Sequence, residues 1–419
     1  MIKRLKLKSE FSRNVLTLMT GTTIAQAIPI AISPILTRIY TPEDFGVFAL
    51  YMSVASILGV IATGRYELAV MLPKKNEDAI NIVVLSVLMA VFVSFISLLI
   101  VAIFNSQITE LLNSPDVSAW LYFIPVTVLL TGIYQSFNYW SNRKKQYKRL
   151  AISRVVQNGT VGTANLGMGF TGFGSGGLIF GGILGQIVAT SILVKMVWRE
   201  DNKLIKDLHR LKVYALARKY KKLPMLNLPN VLMDGIRLSG INLLVAKFFA
   251  TTTLGQFSLA WKMVQTPGAL IGVSLSQVFF QKVASAKCSD LHKIVNKFIF
   301  KASMIALPVF VAMHLYSVEL FVFVFGESWM LAGEAAAVMA PWLFLNFLSS
   351  PLSAIFIVLN RQEAMLIFSF LYMLTPIVVI ISSRELVFLE VLFNVTLTMS
   401  IMLAIFIAMA VRYANKEKR

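Results

Sequence analysis

The chain has one cysteine, Cys288, in 419 residues. That excludes an internal disulfide and any cysteine-based metal cluster. The three histidines, His209, His292 and His314, are too scattered to form a ligand set. Charged residues make up only 14% of the chain, far below the usual quarter of a soluble domain. No leading segment joins a short apolar core to a small-residue cleavage site, so the first apolar run is expected to stay and act as its own insertion signal. The stretches between apolar runs are too short for a soluble catalytic domain.

What the chain has instead is apolar length. Hydrophobic residues reach 57% and mean hydropathy is +0.74. Runs of about 20 apolar residues span a bilayer core, and twelve recur here. They are expected at Asn14 to Thr37, Phe45 to Gly64, Ala79 to Phe104, Val117 to Trp140, Leu150 to Phe170 and Leu178 to Trp198. A second set follows at Pro224 to Phe249, Leu254 to Lys282, Phe298 to Tyr316, Glu334 to Leu359, Ala364 to Ile381 and Leu386 to Val411. The expected class is an all-α polytopic membrane protein. The net charge of +19 suggests nucleic acid until it is mapped. Most Lys and Arg fall in loops on the side of the N-terminus, which is the positive-inside bias. Both termini are therefore expected in the cytoplasm, and no nucleic-acid partner is needed.

The plan is duplicated. Arg38 to Leu50 and Lys247 to Leu259 align at an offset of half the chain, pairing Arg38 with Lys247, Tyr40 with Phe249 and Phe45-Gly46 with Leu254-Gly255. Phe48 pairs with Phe257 and Leu50 with Leu259 in the same register. Each copy reads as the same outside turn between two spans. Duplicated membrane halves are how many transporters are built. The halves are expected at residues 1–198 and 223–419, joined by a basic cytoplasmic loop over 199–222 with nine Lys or Arg. Leu204 to Tyr220 within that loop reads as an amphipathic helix on the anionic inner leaflet.

Local signals are clear at two places. Thr41-Pro42-Glu43-Asp44 is a helix start, with a capping threonine, proline at the first position and acids facing the positive helix end. The corner from Gly167 to Gly182 has phosphate-loop-like glycine spacing, but lacks a preceding strand and a Gly-Lys-Ser/Thr. Close helix packing through small residues is the better reading.

Charges inside spans are costly and usually face a cavity or a partner. Arg38 ends span one and Arg65 ends span two, where either can snorkel to headgroups. Asp234 and Arg237 are three apart on one helix, close enough to pair. Lys247 mirrors Arg38. Lys262 lies about eight residues into span eight with no acid within four residues, and is the hardest to explain as an anchor. Unpaired interior cations call for an anionic substrate, a phosphate above all. Asn14, Gln26, Gln135, Asn138, Gln157, Asn158, Asn165, Gln186, Asn242, Gln265 and Gln277 add polar surface suited to sugar hydroxyls. Each serves equally as a helix-to-helix hydrogen bond.

The turn T-R-I-Y-T-P-E-D-F-G-V-F, the run G-R-Y-E-L-A-V-M-L-P-K-K-N-E-D-A-I-N, the second-half L-G-Q-F-S-L-A-W-K-M-V-Q-T-P and F-G-E-S-W carry a family resemblance. Nearly the whole chain resembles the polysaccharide-transport branch of the multidrug/oligosaccharidyl-lipid/polysaccharide exporter superfamily, nearest to the Wzx-type O-antigen flippases. The resemblance implies a V-shaped bundle of two six-helix lobes working by alternating access in a bacterial inner membrane. The implied cargo is an undecaprenyl-diphosphate-linked oligosaccharide, moved from the cytoplasmic to the periplasmic leaflet. It further implies diphosphate binding by Lys262 and Arg38, with Arg65, Arg237 and Lys247 behind them. Lysine stands at 262 where many relatives are expected to have arginine, which keeps the charge but loses bidentate geometry. Coupling to H+ or Na+ would fall to Asp234. No other cofactor is implied, and a polysaccharide polymerase is a candidate partner.

Two other readings compete. A cation-coupled drug antiporter of the same superfamily is expected to carry an acid inside its first lobe, and spans one to six have none at mid-span. A membrane glycosyltransferase or polymerase would use a carboxylate in the first outside loop, where Glu43 and Asp44 sit. Their counterparts in the repeat are Thr252 and Thr253, which perform no acid chemistry. The protein is therefore expected not to be an enzyme.

Overall fold

The computed structural model describes residues 10–205, 208–286, 290–359 and 361–416. Cys288 and most of the basic leader lie outside the described residues, as do the side chains of Asn14, Asp234, Arg237 and Gln277. Among the described residues twelve helices of 20 residues or more follow one another. They are α1 (Glu10–Ile39), α2 (Pro42–Ile61), α3 (Asn76–Leu111), α4 (Ile124–Arg143), α5 (Tyr147–Phe170), α6 (Ser175–Ile205), α7 (Leu228–Phe248), α8 (Thr251–Ala284), α9 (Leu291–Phe325), α10 (Met330–Val358), α11 (Gln362–Ser382) and α12 (Phe388–Lys416). Each overlaps one of the twelve apolar runs. Among the described residues eight helices are long and apolar enough to cross a membrane, and a ninth crossing forms if a bent pair is counted as one. The chain is a multi-pass membrane protein. α5, α7 and α8 are also of spanning length, but carry more polar residues, among them Arg154, Asn242 and Lys262.

Several boundaries differ from expectation, with a common cause. α9 starts at Leu291 and α12 runs to Lys416, because a helix continues past the hydrocarbon core into headgroups and water. Hydropathy marks only the part inside. Span four breaks instead of running straight. A 3-10 turn and a short helix over Pro115–Leu121 meet α4 at 50°, where Pro125 stands in the first turn of α4.

The start of α2 is built as its sequence dictates. Thr41 takes the N-cap with extended geometry, and its hydroxyl accepts from the Asp44 amide at 3.2 Å. Asp44 in return accepts from the Thr41 amide at 2.9 Å. Two otherwise orphaned donors are thereby satisfied reciprocally. At the matching start of α8, Ala250 holds the same extended geometry without a side-chain cap. The glycine-rich corner is a turn between α5 and α6, with Gly172 and Gly174 at positive φ. Beyond it, a Cβ on Gly181 would collide with Asn165, and one on Gly185 with Val161. The glycines let α5 and α6 approach, as expected, and no phosphate loop is formed.

The chain divides into two compact units, Met1–Leu243 and Leu244–Arg419. In the first, α5 packs on α1 and α6, α3 on α4, and α4 on α6 and α2. In the second, α11 packs on α12, α9 on α10, and α10 on α12 and α8. Four of those pairings, α5 with α6, α3 with α4, α4 with α6 and α2 with α4, recur six helices later. The repeat read from the sequence is thus a repeat of packing. The observed division falls inside α7, so that the polar start of this helix belongs with the first six. Of the connecting loop, Arg210–Lys219 is helical and packs on α3. Its Leu216 is buried with Val70, Ile80, Val83 and Trp140, while Leu211 and Tyr214 stay exposed.

Candidate functional site

Arg38 lies in the last turn of α1 and is exposed. Arg65 lies just past the far end of α2, in the left-handed region at φ 65. The 20 residues of α2 separate the two, about 30 Å at 1.5 Å per residue. They cannot hold one diphosphate together.

Arg65 is also engaged. Gly64 and Arg65 both have positive φ, which turns the chain sharply from α2 into the short 3-10 helix Tyr66–Met71. That turn brings an Arg65 terminal nitrogen to 3.1 Å from Glu67, whose side chain is only 1% exposed. Thr63 donates to the other carboxylate oxygen of Glu67. Arg65 Nε donates to Asn227 Oδ1 at 2.9 Å, and Tyr66 donates to the Ala217 carbonyl at 3.2 Å. Burial raises the Tyr66 phenol above its ordinary range. The G-R-Y-E sequence is therefore the corner that ties the end of α2 to the linker in the first unit. Arg65 keeps one guanidinium nitrogen uncommitted by these bonds.

A polar seam in the first unit was not foreseen as a group. Arg154 is the eighth residue of α5 and donates to Thr22 of α1 at 2.8 Å. Asn158 donates back to the Arg154 carbonyl at 3.1 Å. One turn on, Gln157 donates to Gln186 of α6. The glutamines and asparagines were legible singly. The cation beside them follows the basic run over 143–149 too closely to stand out in the sequence. Asn242 bonds Ser53 at 3.0 Å, and Ser56 and Ser239 lie 2.8 Å apart. These bonds join α7 to α2 within the same unit.

The first unit also holds a charge cluster around the buried Arg149 and Asp201. Asp201 accepts from Trp140 Nε1 at 3.0 Å and lies 3.4 Å from both Lys144 and Arg149. Arg149 also pairs with Glu200. α6 leaves helical geometry at Asp201, so the cluster fixes a bend. It is a structural clamp, with each cation matched by a carboxylate.

In the second unit, Lys247 ends α7, exposed, with its ammonium over the Phe248 ring. Lys262 is the twelfth residue of α8, about 16 Å from its start and so within the span. Its side chain is exposed and has an interaction partner. A charge at that depth is retained where it faces polar company or water. Beside it Trp261 packs on Trp342 at 5.2 Å, and Trp342 donates to the Tyr372 hydroxyl at 2.8 Å. Earlier on α8, Gln256 donates to the Ser328 carbonyl and accepts from the Ala332 amide at 3.0 Å. G-Q-F-S-L and F-G-E-S-W are thus two halves of one helix clamp.

Asp234 and Arg237 lie on α7, with side chains outside the described residues. Among the described residues no three His, Cys, Asp or Glu are grouped to hold a metal. Glu43 is exposed and Asp44 is occupied by its capping bonds.

Comparison with known proteins follows the same line. Residues 35–333 match a family described as polysaccharide biosynthesis protein. No curated protein matches. An inward-facing multidrug resistance MATE family transporter of the MOP superfamily superposes with a TM-score of 0.71 at 14% identity, over 96% of this chain and 95% of its own. The lipid II flippase MurJ in an inward closed conformation gives 0.73 at 14% identity, over 95% and 87%. A MOP superfamily transporter from Pyrococcus furiosus gives 0.52 at 14% identity, over 97% and 96%. At such identities these likenesses establish the fold, which is that of MOP-superfamily transporters.

Proposed function

The chain belongs to the polysaccharide biosynthesis protein family, and from that premise we propose that it flips a polyprenyl-diphosphate-linked oligosaccharide across a bacterial inner membrane. The cargo is an O-antigen-type repeat unit on undecaprenyl diphosphate, and it moves from the cytoplasmic to the periplasmic leaflet by alternating access.

The sign of the charge at depth is the observation that carries this reading. Arg154 and Lys262 lie inside spans, while α1 to α6 have no carboxylate except near their ends. A cationic drug would meet repulsion there, and a diphosphate would meet attraction. Lys262 takes the main diphosphate role. Arg65 receives the cargo at the inner corner through its remaining nitrogen. Arg38 and Lys247 act at the outer ends of their helices, Arg237 supports binding on α7, and Asp234 on the same helix couples transport to H+ or Na+. The seam of Arg154, Gln157, Asn158 and Gln186 offers donors and acceptors to sugar hydroxyls. The family membership and the flippase among the fold neighbours support a transporter. At the first outside turn Asp44 is committed to its capping bonds.

Purified protein in sealed liposomes would be given a fluorescent undecaprenyl-diphosphate oligosaccharide, with leaflet exposure read by an impermeant quencher. Accelerated flipping, slowed about tenfold or more by Lys262→Ala, is expected for loss of a charge-assisted phosphate contact. No flipping, with gradient-driven movement of a cationic dye, would transfer the chain to the drug antiporters.

A further inference from the structure

The second unit carries a groove of about 330 Å³ between α8 and α9 that the flipping reading does not use. Its floor includes Leu275, Phe279, Phe298 and Ala302. Its rim includes Val278 and Ile305, which are 65% and 75% exposed. Three lysines, Lys282, Lys297 and Lys301, border it, and among the described residues no carboxylate lines it. All three are exposed.

The helix geometry explains the convergence. Lys282 stands in the last turn of α8. Lys297 and Lys301 are four apart on α9, hence on one face about one turn from each other. Lys282 is near the end of α8 and Lys297 near the start of α9, which follows it in the chain, so the charges gather where α8 and α9 leave the bilayer. α9 has 35 residues, about 52 Å against a hydrocarbon core of about 30 Å. Lys301, about 15 Å from the start of α9, therefore falls near the core boundary, within reach of headgroup phosphates. From there the apolar groove leads into the core.

We infer that this groove is a binding site for an anionic phospholipid of the surrounding leaflet, its phosphate held by Lys282, Lys297 and Lys301 and one acyl chain lying along Leu275, Phe279 and Phe298. Charge complementarity selects the occupant. Basic pockets between membrane helices on the cytoplasmic side suit anionic headgroups. A zwitterionic lipid would set its own ammonium against three others. Lysines that merely snorkel would attract phosphates with no need of a groove, and this difference is testable.

The test uses the full-length protein, delipidated in detergent and exposed to equal phosphatidylglycerol and phosphatidylcholine. Native mass spectrometry counts the lipids retained. Preference for phosphatidylglycerol is expected, and it should fall about a hundredfold in the Lys282→Gln, Lys297→Gln, Lys301→Gln triple variant, since each basic residue near the headgroups adds roughly fivefold. Val278→Trp and Ile305→Trp, both at exposed rim positions, should fill the groove and lower retention with the charges intact. Neutralising Lys219, Lys221 and Lys222 on the linker should change nothing. The site is overturned if both groove-filling variants, folded by their thermal transitions, retain the lipid, or if the linker variant loses it equally. It is also overturned if wild type shows no headgroup preference, or if added undecaprenyl diphosphate displaces phosphatidylglycerol from wild type but not from the triple variant. None of these outcomes depends on flipping activity.

Discussion

Tyr40 donates its phenolic hydrogen to the Asn165 carbonyl at 2.6 Å, fastening the C-terminal end of α1 to α5. In the repeat, Phe249 has no hydroxyl and instead packs edge-on against Phe388 at 5.4 Å. One position thus uses two kinds of fastening. Tyr40→Phe should lower the unfolding free energy by about 1 kcal/mol, the usual net value of such a bond. Thermal unfolding in detergent followed by tryptophan fluorescence would show it.

The same phenol predicts a pH effect. Burial, then the nearby Asp44 charge, raises its pKa from 10.0 to about 12. A folded-state pKa above the unfolded value gives stability that is complete below about pH 10 and lost as pH rises through the folded value. The midpoint of wild type should therefore fall between about pH 10 and 12 more steeply than that of Tyr40→Phe. Parallel curves for the two proteins would refute the assignment.

At Arg65 and Glu67 the ion pair is largely dry on the carboxylate side. Arg65→Ala leaves the Glu67 carboxylate buried, with the Thr63 hydroxyl still donating to it. A loss of about 3 kcal/mol is expected, as for a buried pair broken on one side. Adding Glu67→Gln should recover much of it. A double-mutant cycle on thermal or denaturant stability measures this coupling.

Helix starts offer a gain as well as a loss. Thr41→Ala should cost about 1 kcal/mol, while Ala250→Ser should add up to about 1 kcal/mol at the uncapped start of α8. Neither change should alter flipping per folded molecule in the liposome assay. Glu43→Gln should be equally silent there, because an exposed helix-start residue is no catalyst in the proposed mechanism.

Arg154 divides a binding role from a packing role. Arg154→Lys keeps the charge but loses the planar fork that reaches Thr22, and Arg154→Gln keeps polar size without charge. If the cation attracts a diphosphate, Lys should retain most transport and Gln should lose about tenfold in apparent affinity. Equal loss in both, with matched thermal stability, would mean that the bond to Thr22 is what matters.

Much of this architecture can be read from residue order. Apolar length gives twelve helices, Thr41 to Asp44 gives a capping box, and the match of Arg38–Leu50 to Lys247–Leu259 anticipates the repeated packing. What sequence does not convey is pairing over distance. Arg149 and Asp201 are 52 residues apart, and nothing local shows that they meet. Arg65 read as a charge available to cargo because its own helix supplies no partner. The partners come from a backbone reversal at Gly64 and Arg65 and from Asn227, 162 residues away. Arg154, eight residues into α5, follows the basic run over 143–149 so closely that in the sequence it merges with a topology signal.

The bonds between α2 and α7 set an order on biogenesis. Ser53 and Ser56 find Asn242 and Ser239 only after 189 and 183 further residues. During synthesis α2 must wait in the membrane with its serines turned back on its own carbonyls, as Ser53 does toward Ala49. Arg149 waits likewise until α6 delivers Glu200 and Asp201. A nascent chain halted after α5 is therefore an unfinished object with unmatched charge, which insertion machinery has to shelter. The first unit closes only when Ser239 and Asn242, past the middle of the seventh helix, arrive.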